Sequence, residues 1–188
     1  MSAVESMELK TKRLLLRPLQ PDDAGDLFVM HADTEVMRFS NEAPWSDISR
    51  ALRLIAAAQE WLTSGRHLCL GISRRDAGKI IGTCTLFDIN LVSKHAEVGF
   101  LLSRQHWGSG YMREALIAMV EHAFGRLELN RIDADTDPKN NRSIELLESL
   151  QFRREGLLRE RWIVGGRKSD TALYGLLRSD WEAVRAGG

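Results

Sequence analysis

The chain lacks a net charge: 26 lysines and arginines balance 26 aspartates and glutamates over 188 residues. No global field therefore draws it to nucleic acid or to an anionic membrane surface, and any contact with a polyanion must be local. It also lacks any apolar run near the ~20 residues that span a bilayer, and it has no charged-then-apolar leader pattern. A cytoplasmic protein with no membrane partner and no direct nucleic-acid contact is the expectation. Cysteine is scarce, with Cys69 and Cys84 as the two examples. Each lies inside a strand-like run without the clustered spacing of a zinc site, so they read as buried free thiols and no metal is expected. Repeats, low-complexity stretches and linker-like runs are missing too. The 44% hydrophobic content suits one sizeable core. Residues 1–10 read as a loose tail and 11–188 as a single domain.

The elements follow from periodicity and punctuation. Leu14-Leu15-Leu16 reads as a buried strand ended by Pro18. Pro21-Asp22-Asp23 opens a helix, with proline in the first turn and acids at the positive end of the dipole. Residues 47–64 form a second helix with Ala51, Leu54, Ile55, Ala58 and Leu62 on one side and Ser64-Gly65 as its stop. Between these helices Met37, Phe39, Pro44 and Trp45 make an apolar segment suited either to packing or to lining a substrate pocket. Residues 67–74 and 79–90 read as strands joined by a turn containing Asp76 and Gly78. Further on come a strand at Arg131–Thr136 broken by Asp137-Pro138, a short helix from Ser143 to Leu150, and a hairpin (152–162 with 168–177) around Gly165-Gly166. A last helical turn begins at Ser179. Such an order implies an α/β mixed sheet flanked by helices.

The middle of the chain organises the rest. Glu97-Val98-Gly99-Phe100-Leu101-Leu102 reads as a strand, and Gln105-His106-Trp107-Gly108-Ser109-Gly110 as a loop. Met112, Ala115, Leu116, Met119, Ala123, Phe124 and Leu127 recur at helical spacing after it. The loop thus empties into a helix N-terminus, whose first amides lack intrahelical acceptors and carry the positive end of the dipole, a ready anion site. Gly108 and Gly110 permit positive φ and let an oxyanion approach the main chain. By itself this pattern also fits a plain tight turn. The Lys-Ser/Thr pair of a nucleotide-triphosphate loop and the third glycine of a dinucleotide fingerprint are both absent.

Gln105-x-x-Gly108-x-Gly110 after a hydrophobic strand resembles the acetyl-CoA pyrophosphate loop of the GNAT superfamily of N-acetyltransferases. Thr11-Lys12-Arg13-Leu14-Leu15-Leu16-Arg17-Pro18, Ala96-Glu97-Val98-Gly99-Phe100 and Asn140-Asn141-Arg142-Ser143 look like the RimJ/RimL branch, which acetylates ribosomal-protein N-termini. This resemblance spans nearly the whole chain. It implies a central, mostly antiparallel sheet and acetyl-CoA as co-substrate. It also implies that the cofactor arm lies along the main chain of Phe100, Leu101 and Leu102, and that its phosphates meet Gln105, His106, Trp107, Gly108, Ser109, Gly110 and Tyr111. Asn140 would contact the arm, and Ser143 would lie near the sulfur, where many family members place a tyrosine. Trp107 is expected to shield the loop. Where the family usually reads Leu-Gly-Phe, this chain has Leu150-Gln151-Phe152, which unsettles the turn there.

Acetyl transfer to an amine needs a neutral amine, a resting place for the oxyanion and a proton for the departing thiolate. Glu97, on the strand that feeds the loop, is the expected general base, with a surface salt bridge as its alternative role. Ser143 is the expected partner of the thiolate, with a helix N-cap as its alternative. The acceptor is expected to be a protein's N-terminal α-amine, because such an amine titrates near ~8 and a lysine side chain near ~10.4. Beyond Glu97, no second acidic cluster can be tied to the cofactor motifs. A polyamine, amino acid or aminoglycoside is the alternative acceptor, and a non-catalytic acyl-CoA-binding module the alternative class. A homodimer is left open.

Overall fold

The computed structural model describes residues 7–186. Its strands are β1 (Leu9–Lys10), β2 (Leu14–Pro18), β3 (Leu68–Arg74), β4 (Ile80–Asn90), β5 (His95–Leu102), β6 (Arg131–Thr136), β7 (Arg153–Val164) and β8 (Arg167–Leu177). Its helices are α1 (Ala24–Ala32), α2 (Ser49–Ser64), α3 (Tyr111–Gly125), α4 (Asn141–Ser149) and α5 (Arg178–Ala186). Among the described residues the strands make one sheet in the order β1-β2-β3-β4-β5-β6-β8-β7. Every neighbouring pair is antiparallel except β5 and β6. Two parallel neighbours need a crossover, and α3 supplies it. The mixed, mostly antiparallel sheet expected from the sequence is the one observed.

Helices cover both faces. Ala96, Val98 and Leu102 of β5 point toward α3, whose Ala115, Leu116, Met119, Val120 and Ala123 are wholly buried against the sheet. Each leucine so buried contributes about 1.5–3 kcal/mol. The opposite face packs α1 and α2 through Leu27, Met30, Ala51 and Ile55, with Leu101 of β5 joining that cluster. The two cysteines fall on opposite sides of this division, Cys84 in the first cluster and Cys69 in the second, and both are free thiols. Burial raises both, Cys69 to about 11.

Several boundaries differ from expectation. The tail assigned to residues 1–10 falls partly outside the described residues, but Leu9 and Lys10 are corrected to an edge strand. They pair with Leu16 and Leu15, because Leu9 finds apolar surface on the main core. Helix α3 ends at Gly125, before Leu127, and the residue that plugs the core beyond it is fully buried Leu129. At the expected turn after α4, Gln151 takes φ +69°. Glycine enters that region freely, whereas another L-residue is strained by about 1–2 kcal/mol. The β7–β8 hairpin turns on Gly165 and Gly166, both at positive φ, the geometry of a two-residue primed turn.

Candidate active site

The site begins where β5 and β6 part. They are in register at His95–Arg131, Ala96–Ile132 and Glu97–Asp133, and the pairing ends there. Beyond that point β5 stays paired with β4 through Leu102 opposite Gly82, while β6 stays paired with β8 through Thr136 opposite Ala172. From Val98 onward, then, the edge of β5 turned away from β4 has no strand partner among the described residues. An unpaired edge with free main-chain groups is what an extended ligand joins by strand addition.

Immediately after this edge the chain makes a 3-10 turn (Arg104–His106) and enters α3 through Gly110. Gly108 and Gly110 both sit at φ +73°, and a Cβ on Gly108 would meet open space. These glycines therefore satisfy a backbone shape and leave the approach to the helix N-terminus clear. The indole of Trp107 donates to the Leu102 carbonyl at 2.8 Å, so it ties the loop to the strand end. The Arg142 guanidinium lies 4.4 Å from the Trp107 ring centroid, which brings α4 against the same loop.

On the far side of the gap, Asn140 is the N-cap of α4, and its Oδ1 accepts from the Ser143 amide at 3.3 Å. Capping is therefore Asn140's work. Ser143 is at the third helical position, and its hydroxyl makes no hydrogen bond among the described residues, so the helix-cap alternative for Ser143 does not hold.

These parts line one open cleft of about 990 Å³. Of the residues singled out from the sequence, Glu97, Phe100, Leu101, Leu102, His106, Trp107, Gly108, Gly110, Tyr111, Asn140 and Ser143 line it. Gln105 and Ser109 are exposed outside its wall. Phe100 turns its side chain into the core beside α3, leaving its main chain to the cleft.

Glu97 projects from the other face of β5, toward α1 and α2, since it alternates with buried Ala96 and Val98. Burial raises its pKa, and the charges of Asp135, Asp133 and Asp88 raise it further. A carboxylate lifted this way holds a proton more readily, as a general base should. Two residues later Gly99 makes room for Phe87, whose ring would stand 2.8 Å from a Cβ there. The wall opposite comes from the segment between α1 and α2. Trp45 is buried and stacks on His31 at 3.8 Å and 10°. Its indole donates to Glu42 at 3.2 Å, and Arg50 donates to the other oxygen of Glu42 at 2.5 Å. Burial and the Arg50 charge lower His31 to about 4. That imidazole is neutral, and its Nδ1 stands 3.8 Å from Glu42, beyond hydrogen-bonding reach.

Sequence reasoning missed three features. Arg13 reaches the glycine loop, donating to the Ser109 carbonyl at 2.9 Å and lying over the Tyr111 ring at 4.5 Å. Arg142 stacks on Trp107. Asp135 and Asp170 line the cleft with Glu97, which corrects the expectation that no second acidic cluster is tied to the cofactor motifs. For Asp135 a signal existed: on a strand parallel to β5, Asp133 and Asp135 alternate with apolar Ile132 and Ala134.

A mixed sheet that opens between its two parallel strands, with a glycine loop running from that opening into a helix, is the architecture of an acyl-CoA-using acetyltransferase. The Acetyltransferase (GNAT) domain family matches residues 13–153. An uncharacterized N-acetyltransferase, p20 of Bacillus licheniformis, is 36% identical over 92% of this chain and 97% of its own length. The [ribosomal protein uS5]-alanine N-acetyltransferase of Escherichia coli is 28% identical over 98% of this chain and 97% of its own. The crystal structure of the spermidine N-acetyltransferase from Vibrio cholerae, in complex with CoA and spermine, superposes with a TM-score of 0.80 at 22% identity. It covers 92% of this chain and 99% of its own. The chain belongs to the GNAT family of N-acetyltransferases, in the branch with RimJ-like relatives, and is an enzyme that acetylates amines.

GNAT enzymes draw the acetyl group from acetyl-CoA, and the residues here fit that group. The free edge of β5 is open to an extended arm, and two glycines leave the α3 N-terminus clear for phosphates. No helix among the described residues is long and apolar enough to cross a membrane.

Proposed function

We propose that this chain, as one domain over residues 11–188, transfers acetyl from acetyl-CoA to the N-terminal α-amine of a protein or peptide. Acetyl-CoA supplies the activated acetyl thioester. The amides at the start of α3, with Gly108 and Gly110, bind its phosphates. The main chain of Phe100 and Leu101 and the Asn140 side chain hold its arm, and a β5 amide polarises the carbonyl. Glu97 takes the proton of the amine. The Ser143 hydroxyl, free of other partners among the described residues, hydrogen-bonds the leaving sulfur.

The observation that carries this reading is the position of Glu97, the last β5 residue paired with β6, at the point where the strand edge becomes free. Base and cofactor arm then share one rigid element. For the acceptor, the wall of Met37, Phe39 and Trp45 suits the side chains of a peptide end. An α-amine near ~8 reaches its neutral form at roughly 3 kcal/mol less cost than a lysine amine near ~10.4. The ribosomal alanine N-acetyltransferase among the relatives supports the same choice. A polyamine acceptor is the second reading, favoured by Asp135 and Asp170 on the cleft and by the fold shared with the spermidine enzyme.

The deciding assay measures thiol release from acetyl-CoA with two matched peptides, one with a free N-terminus and no lysine, the other N-blocked with one lysine, and with spermidine. A faster rate on the free N-terminus is expected. Preference for the blocked peptide or for spermidine would reject the α-amine reading. Glu97→Gln should lose most turnover at low pH with acetyl-CoA affinity nearly intact.

A further inference from the structure

Glu97 does not stand alone on its face of the sheet. It is in parallel register with Asp133, and side chains at registered positions of a parallel pair lie on the same face, as do those two residues further along a strand. Asp135 therefore rises from the same face as Glu97, on the far lip of the gap between β5 and β6. Both line the cleft. Asp133 is already committed. His95 Nε2 lies 2.5 Å from its Oδ2, and Arg131 Nη2 lies 2.5 Å from its Oδ1, an ion pair set off the hydrogen-bonding direction. Among the described residues Asp135 has no such cation in contact: Arg161 of β7 faces it at longer range, and Trp162 of the same strand lies near it. It is exposed to solvent through the cleft, yet the surrounding walls still desolvate it enough to raise its pKa.

Resting on the acetyltransferase reading above, we propose that Asp135 is a second carboxylate of the acceptor subsite, which together with Glu97 receives the incoming amine as its ammonium ion and shares the proton removed from it. The chemistry balances simply. At neutral pH a primary amine arrives mostly as R–NH3+. Its N–H bond breaks, the proton passes to the carboxylate pair, and the freed nitrogen lone pair is the nucleophile. The proton then leaves to water through the open cleft. Two carboxylates on one site hold a single proton more readily than either does apart, and they titrate as a pair. A binding role follows from the same placement, because a cation between two carboxylates is held before it is deprotonated. The acceptor class is accordingly a cationic primary amine.

Several charged groups face this pair. Asp88 lies just beyond the bend in β4, His95 stands two residues back on β5, and Asp133 with its partner Arg131 lies on β6. Arg161 of β7 approaches Asp135. Across the cleft are Glu35, Arg38, Glu42 and neutral His31, and Asp170 of β8 lines the same cleft while accepting from the Glu160 amide at 2.8 Å. Of these, His95 and Arg131 are tied to Asp133 and Glu42 to Arg50; among the carboxylates that act on Glu97, Asp135 bears most strongly, ahead of Asp133 and Asp88.

The test is the pH profile of kcat/KM for Asp135→Asn, using the peptide with a free N-terminus, alongside acetyl-CoA affinity by calorimetry. Neutralising Asp135 should raise KM for the peptide about tenfold near pH 7 and leave acetyl-CoA affinity within twofold. It should also move the acid limb of the profile to lower pH by about half a unit or more. Asp135→Glu should keep the limb where the wild type has it, and Asp135→Ser serves as a second neutral variant should the first fail to fold. An unmoved acid limb together with an unchanged KM in a folded neutral variant would overturn the role of Asp135 while leaving the acetyltransferase reading intact. Wild-type protein that acetylates none of the amines would overturn both.

Discussion

Arg13 and Glu114, 101 residues apart in the chain, meet at the start of α3. The Arg13 Nε donates to Glu114 Oε2 at 2.6 Å and the Arg13 amide donates to Oε1 at 2.8 Å. The Thr11 hydroxyl adds a bond to Oε1 at 2.6 Å. With the Arg13 bond to the Ser109 carbonyl, the segment before β2 braces the end of the glycine loop and the first turn of α3. This gives the Thr11-Lys12-Arg13 motif a physical purpose: it holds the loop in shape from outside, without itself lining the cleft.

Arg13→Ala should therefore weaken acetyl-CoA binding about threefold to tenfold and lower stability by about 1 kcal/mol, read by calorimetry and thermal melting. Equal affinity would mean that the loop holds its own shape. Burial raises Glu114, but the Thr11, Arg13 amide and guanidinium bonds outweigh it and leave its pKa lowered. A depressed carboxylate contributes stability that is full above its unfolded pKa near ~4.3 and is lost as pH falls through the folded value. The stability gap between wild type and Glu114→Gln should accordingly be constant near neutrality and close on acidification below about pH 4.

Gly108→Val should reduce acetyl-CoA affinity by about tenfold or more in a chain that still folds. Space for the side chain exists, but φ +73° strains a β-branched residue, and its methyls occupy the phosphate approach. Undiminished affinity in the folded variant would remove the phosphate assignment.

Asn140 and Ser143 should separate in their effects. Asn140→Ala loses the cap on α4 and should cost about 1 kcal/mol of stability as well as cofactor affinity. Ser143→Ala breaks no bond of the fold, so turnover should fall at unchanged melting temperature. If Ser143→Ala is fully active, the sulfur is served by water or another group.

Gln151→Gly should stabilise the protein by about 1 kcal/mol, since it removes the penalty of φ +69° at an exposed position. Chemical denaturation provides the measurement. No gain would mean that the added backbone freedom of glycine in the unfolded chain offsets the relief.

His31 should make folding acid-sensitive in a defined window. Its unfolded pKa is near 6.5 and its folded value about 4, so between those pH values the unfolded chain binds the extra proton and stability falls as pH falls. The loss should approach about 3 kcal/mol by pH 4. His31→Phe keeps a ring against Trp45 and removes two buried nitrogens that have no hydrogen-bond partner among the described residues. The variant should be at least as stable as wild type at pH 7 and lose that part of the pH dependence. An unchanged slope from pH 6.5 to 4 would assign the acid sensitivity to other groups.

What the sequence determined by itself was everything written in short-range chemistry. The period of Met112, Ala115, Leu116 and Met119 specified α3, and Gly108 and Gly110 specified the shape of its entry. Gly165-Gly166 specified the hairpin, and the alternation around Glu97 specified which face of β5 it would share. Each depends on residues a few places apart, where helix pitch, strand pleat and allowed φ leave few choices. Tertiary structure alone decided the rest. The sheet opens after Glu97 because β4 keeps hold of β5 while β8 keeps hold of β6, and no local pattern records where two strands let go. Arg13 found Glu114, His31 found Trp45 and Asp135 came to face Glu97 across 101, 14 and 38 positions respectively. The cap on α4 fell to Asn140 and freed Ser143, a choice between two competent residues that only the backbone at that turn could make. Packing brought these groups together, and side-chain charge and hydrogen bonding act between them only once the chain has closed.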